Sequence, residues 1–121
     1  MAQLPDNEIC WIATTRPDGR PHLTPIWFVW RNERAWLCCS STSVKANNLR
    51  ANPNVSFSLQ DGAHPVVGEG TALLHERPFP ADVATAFRQA FDWDINAACE
   101  EPYDCLIEIE ITRWLMDGSA V

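Results

Sequence analysis

The sequence predicts a mainly β fold, a small antiparallel barrel of six strands carrying two short helices. Three observations lead there. Short runs rich in Val, Ile, Phe and Trp alternate apolar with polar residues, turn signals such as Asp18-Gly19 and Asp61-Gly62 separate those runs, and only two segments switch to a helical period. Closing the strands into a barrel also removes the edges that an open sheet leaves exposed. A chain of 121 residues is long enough for one core and too short for two, so residues 1–121 are read as a single domain.

The first strand runs from Ile9 to Thr15, and Arg16-Pro17-Asp18-Gly19 turns it back, Asp-Gly between apolar runs being a strong hairpin signal. Leu23 to Trp30 follows, and both of its parities are largely apolar: Leu23, Pro25, Trp27 and Val29 on one, Thr24, Ile26, Phe28 and Trp30 on the other. A strand apolar on both sides is covered on both sides. One side faces the core; the other needs a helix, a second subunit or a ligand. Arg31-Asn32-Glu33-Arg34 is the next turn and Ala35 to Ser40 the third strand. Ser43 caps a short helix through Arg50 that Asn52-Pro53 stops.

Val55, Phe57 and Leu59 alternate with Ser56, Ser58 and Gln60, a half-buried strand. Asp61-Gly62 turns it into Val66 to Leu74, where Gly68, Gly70 and Ala72 share one parity, so that something approaches this backbone closely. From Ala81 to Phe91 the period changes, and Val83, Phe87, Ala90 and Phe91 form one helical stripe. Asp104 to Thr112 returns to alternation, with Ile107, Ile109 and Ile111 inward and Glu108 and Glu110 outward. No internal repeat, low-complexity tract or linker interrupts the order.

Composition narrows the function. A net charge of −7, with nine Lys and Arg residues spread along the chain, argues against a nucleic acid or anionic membrane partner, since both demand a basic face. No apolar run reaches the ~18–20 residues of a membrane-spanning helix, and Met1-Ala2-Gln3-Leu4-Pro5-Asp6 lacks the regions of a signal peptide. None of the five cysteines is spaced C-x-x-C, and adjacent Cys38 and Cys39 should point to opposite strand faces, so the expectation is a cytoplasmic protein with reduced thiols. The six tryptophans must bury large faces in the core, in a subunit contact or against a flat ligand. His22, His64 and His75 have no metal-ligand spacing, so no metal site is expected. No carboxylate–histidine pair, Ser-His-Asp set or activated cysteine stands out, and no catalytic side chain is nominated.

The strongest local signal is Ser40-Ser41-Thr42-Ser43-Val44-Lys45-Ala46-Asn47-Asn48-Leu49. It places four hydroxyls and one ammonium where a strand gives way to the first turn of a helix. Backbone N–H groups and the positive end of the helix dipole favour an anion there, and the side chains add donors around it. Lys45 in an arbitrary first turn is a solvated side chain; the neighbouring hydroxyls point it at a phosphate instead.

In order along residues 9–115, the chain carries Ala13-Thr14-Thr15, Asp18-Gly19-Arg20-Pro21-His22, Pro25-Ile26-Trp27-Phe28, Ser43-Val44-Lys45, Asn48-Leu49-Arg50, Pro53-Asn54-Val55, Gly68-Glu69-Gly70-Thr71-Ala72 and Ile109-Glu110-Ile111-Thr112-Arg113-Trp114. This combination resembles the pyridoxamine 5′-phosphate oxidase-like superfamily of FMN-binding split barrels, especially its small flavin- and deazaflavin-dependent members. The resemblance implies a homodimeric split barrel with two flavins in grooves at the subunit interface. Thr24, Pro25, Ile26 and Trp27 would run along the isoalloxazine edge, and Lys45 and Ser43 would hold the phosphate. Cys38 and Cys39 stand where the family often has an aromatic or small residue followed by Thr; Ser40 or Thr42 would supply the missing hydroxyl, and Asn48 lies one helical turn beyond Lys45. An Arg found beside the lysine in many relatives is replaced here by Ser43 or Val44.

The function so implied is an FMN-dependent oxidoreductase acting on a small-molecule substrate. A deazaflavin-dependent reductase on the same barrel is the alternative, its acidic cofactor tail matching a chain of charge −7 less well. A non-catalytic flavin-binding or carrier module is the reading from another class, and a ligand-free structural dimer is a third. Oxidation of pyridoxamine phosphate itself is not expected, because its phosphate needs basic and tyrosine residues and Tyr103 is the one tyrosine.

Overall fold

A computed structural model of the chain describes residues 5–97 and 102–118. The elements are β1 (Asn7–Thr15), β2 (Pro21–Arg31), β3 (Arg34–Cys39), α1 (Val44–Ala51), β4 (Asn54–Leu59), β5 (Val66–His75), α2 (Ala81–Phe91) and β6 (Cys105–Asp117). The strands close into a barrel in the order β1-β2-β3-β6-β5-β4, every neighbouring pair antiparallel.

Local chemistry sets the turns. Gly19 takes φ +88°, and its N–H donates to the Arg16 carbonyl at 2.8 Å. Asn32 and Glu33 both have positive φ, which gives the β2–β3 hairpin the backbone twist that matches its strands. Asp61 accepts the N–H groups of Ala63 and His64 at 2.8 and 3.3 Å. Ser43 caps α1, its Oγ accepting the Ala46 N–H at 3.2 Å.

Two apolar clusters share the barrel wall. Inside lie Cys10, Ile12, Phe28, Leu37, Cys39, Phe57, Cys105, Ile107 and Ile109, and Ala46 and Leu49 of α1 join them. Phe28 and Phe57 meet edge to face, their centroids 5.3 Å apart. Outside, Val29, Trp36, Cys38 and Leu106 pack beneath Val83 and Phe87 of α2, with Phe79 and Ile95. Each fully buried side chain of this size contributes roughly 1.5–3 kcal/mol. Cys38 and Cys39 therefore do face opposite ways, and α2 covers part of the second apolar face of β2. The rest of that face is open, with Leu23 61% and Trp27 46% exposed.

The backbone approaching the β5 glycines is β6. A Cβ on Gly70 would collide with the Glu110 carbonyl oxygen, and one on Gly68 would lie 2.7 Å from a methyl of Ile111. Two register shifts in the β5–β6 ladder, between Val67 and Gly68 and between Glu69 and Gly70, accompany this contact. They also carry β6 on to Asp117, past the Thr112 limit that alternation suggests. Cys99, one of the five cysteines, lies outside the described residues.

Candidate functional site

The middle of β2, the end of β3, the first turn of α1 and the segment after α2 converge on a cavity of about 690 Å³. Of the residues singled out from the sequence, Pro25, Ile26, Trp27, Cys38, Cys39, Ser40, Ser43 and Lys45 line it together. Ile9, Trp93 and Tyr103 complete the lining. Thr24 and Asn48 do not line it. Asn48 is 3% exposed, and its Nδ2 donates to the Thr14 hydroxyl at 3.0 Å, tying α1 to β1.

One end of the cavity is polar. The Ser40 and Thr42 hydroxyls share a hydrogen bond of 3.0 Å, and the Ser43 N–H donates to the Ser40 carbonyl at 3.1 Å. Ser41 turns away, its N–H and Oγ both donating to Asp104 at 2.8 Å. The first turn of α1 itself holds no acidic residue, and the Asp104 carboxylate sits just before it on Ser41. Lys45 is half-buried and makes no ion pair among the described residues.

Further polar atoms without partners lie on the β1–β2 hairpin. Among the described residues, the buried side-chain N and O atoms left without a partner are Arg16 Nε, His22 Nδ1 and Thr24 Oγ1, all on the β1–β2 hairpin. Desolvation first, then the charges of Arg16 and Lys45, holds the His22 imidazole below its ordinary pKa. The charges of Arg16 and Lys45 both reach His22, and Arg16 also acts on the exposed Asp18 carboxylate. Orphaned donors normally find a partner, since a lost bond costs about 1–3 kcal/mol.

The other end is aromatic. Trp27 stacks on Phe91 of α2, centroids 4.6 Å apart and planes 3° from parallel. Trp93 meets Trp27 at 6.2 Å and Tyr103 at 5.2 Å, both edge-on. Arg77 fastens this wall: its guanidinium donates to the Ile95 carbonyl at 3.1 Å and the Tyr103 carbonyl at 2.9 Å. Trp93 and Tyr103 sit in irregular chain, where periodicity gives no information, and their aromatic character was the only signal in the sequence.

The remaining candidates lie elsewhere. His64 pairs with Asp61 at 3.4 Å on an exposed turn, and His75 bonds Glu108 at 2.9 Å. Trp114 packs near Trp30, centroids 6.0 Å apart. Cys39 is the chemically unusual thiol. A hydrogen bond from the Cys105 thiol, helped by Ser43 and the Lys45 charge and opposed by burial, brings its pKa down to about 7.

The family model described as pyridoxamine 5′-phosphate oxidase matches residues 1–116. A search of curated proteins finds no match. Among solved structures, an F420 reductase is 24% identical with a TM-score of 0.67, over 88% of this chain and 87% of that one. The heme storage protein HutZ of Vibrio cholerae is 20% identical with a TM-score of 0.77, over 93% and 87%. A pyridoxamine 5′-phosphate oxidase-related, FMN-binding protein of Nostoc punctiforme is 16% identical with a TM-score of 0.64, over 88% and 71%. At these identities the likeness is one of fold.

Proposed function

Because the chain belongs to the pyridoxamine 5′-phosphate oxidase family, we propose that it is an FMN-dependent oxidoreductase acting on a small molecule. The observation that carries the reading is the polarity of the cavity. An acid-free helix start with Lys45, Ser43 and Ser40 lies at one end, and Trp27, Trp93 and Tyr103 lie at the other. A phosphate joined to a flat apolar ring matches that division. The charges of Arg16 and Lys45, which both act on His22, add positive potential on the Lys45 side.

Bound FMN would supply the hydride or electron transfer. The chain's own residues do the rest. Lys45 and the Ser43 and Ser40 hydroxyls hold the phosphate, and the α1 dipole adds to their pull. The β2 segment from Pro25 to Trp27 flanks the ring, and the aromatic wall keeps water from its face. A homodimer belongs to the same proposal, because the exposed Leu23 and Trp27 extend one apolar strip of β2 from the cavity to the surface. FMN is preferred to a deazaflavin because a longer acidic tail suits a chain of net charge −7 less well.

Titrating cofactor-free protein with FMN and following the loss of flavin fluorescence tests the reading. Saturable binding, followed by anaerobic reduction with NADH or NADPH and reoxidation by a quinone, is the expected result. Tighter binding of deazaflavin would overturn the choice of cofactor, and FMN that binds but never cycles would leave a carrier.

A further inference from the structure

Cys39, the last residue of β3, and Cys105, the first of β6, are direct cross-strand partners in the antiparallel ladder. Partners of this kind point to the same face with Cα atoms about 4.5 or 5.5 Å apart, inside the range that a disulfide spans. Both side chains belong to the interior cluster. The two residues border different cavities. Cys39 lines the main cavity, whereas Cys105 lines a second cavity of about 470 Å³ with Arg50, His75 and Asp104.

From this placement we propose that Cys39 and Cys105 are a peroxide-reactive dithiol, with Cys39 as the attacking thiol and Cys105 as the resolving one. The two steps balance. The Cys39 thiolate attacks one oxygen of a hydroperoxide; the O–O bond breaks, the thiolate becomes a sulfenic acid and the leaving oxygen departs, after taking a proton, as water or an alcohol. The Cys105 sulfur then displaces the hydroxyl of the sulfenic acid, forming the S–S bond and releasing water. Two thiols are oxidised and one peroxide is reduced.

The surroundings divide the roles. Around Cys39, the Ser43 hydroxyl donates to Sγ at 3.7 Å and the Lys45 ammonium favours the anion, while Asp104 opposes it. Cys105 is driven the other way by its bond to Cys39 and by burial, against the pull of Arg50, so it stays the protonated partner. A low-pKa thiol open to a cavity and set beside a second cysteine is the arrangement of a redox-sensing cysteine. Cys10 is the contrast: burial pushes its pKa well above the ordinary value, and it lines neither cavity. Cys38 faces outward and donates to the Tyr103 carbonyl at 3.6 Å. The proposal is independent of any flavin.

The test uses the reduced full chain without cofactor. It is treated with hydrogen peroxide, blocked with N-ethylmaleimide in denaturant, and analysed by intact mass and peptide mapping. The expected product lacks two hydrogen atoms, joins the Cys39 and Cys105 peptides, and leaves Cys10 and Cys38 alkylated. In Cys105→Ser, dimedone should trap a sulfenic acid at Cys39, and Cys39→Ser should lose the reaction. In the untreated wild type, alkylation of Cys39 should reach half its maximal rate at a lower pH than that of an ordinary thiol. The proposal fails if Cys39 stays reduced in the folded wild type, if the bond maps to Cys38 or Cys99, or if Cys39 alkylates with the pH profile of an ordinary thiol. The wild-type arms alone decide it should a variant not fold.

Discussion

Lys45→Met is the sharpest probe of the proposed cofactor site, because it keeps an unbranched side chain and removes the charge. Lys45 is half-buried at the cavity, next to an acid-free helix start and without a competing carboxylate partner among the described residues. A hydrogen bond involving a charged group is worth about 1.5–3 kcal/mol. The full Coulomb energy of unit charges 4 Å apart, about 4 kcal/mol at an effective dielectric of about 20, is an upper bound that water at the cavity mouth reduces. The expected loss is therefore about tenfold to a hundredfold in FMN affinity, at roughly 1.4 kcal/mol per tenfold. Fluorescence titrations of wild type and variant with FMN measure it, and riboflavin, which lacks the phosphate, is the control. The wild-type advantage should disappear with riboflavin and shrink as salt is raised. An FMN affinity unchanged within about threefold, some 0.6 kcal/mol, would refute the phosphate assignment. An equal loss for riboflavin would do the same.

Three further outcomes are expected. Gly70→Ala should cost about 3 kcal/mol or more in urea unfolding, since the new methyl meets the rigid Glu110 carbonyl of β6 rather than a side chain that can move; a midpoint matching wild type would show that the bulged strands separate easily. Asn48→Ala should lower stability by about 1–3 kcal/mol by leaving the Thr14 hydroxyl unpaired, while FMN affinity stays as in wild type. The pKa of His22 is lowered on folding, so the unfolded chain binds more protons, and the His22 contribution to stability is present above the unfolded histidine pKa and lost as pH falls below it. NMR titration of the His22 ring should find a midpoint below the ordinary histidine value, moving upward when FMN phosphate binds beside it; a midpoint at the ordinary value would remove His22 from the anion site.

Much of this architecture was readable along the chain. The alternation of Val55, Phe57 and Leu59 with serines, the helical stripe of Val83 and Phe87, and the Asp-Gly turns each fix an element through neighbours only a few residues away. Ser43 announced the start of α1 in the same way, because a cap acts within one turn. The C-terminal half of β6 was harder. Bulges opposite Gly68 and Gly70 break the period that marks a strand, and only pairing with β5 holds Leu115 and Met116 in it.

The candidate site divides along the same line. By itself, the order of residues determined that hydroxyls and a lysine would crowd a helix start, and that β2 would need cover on both faces, since short-range hydrogen bonding and hydrophobic period depend on adjacent residues. Only the closed barrel decided what meets them. It laid α2 over Val29, swung Trp93 between Trp27 and Tyr103, and brought the charges of Arg16 and Lys45 to bear on His22. It also made partners of Cys39 and Cys105, far apart in the chain, by pairing β3 with β6. Contacts between distant segments follow from which surfaces bury each other best, and no local pattern encodes that choice.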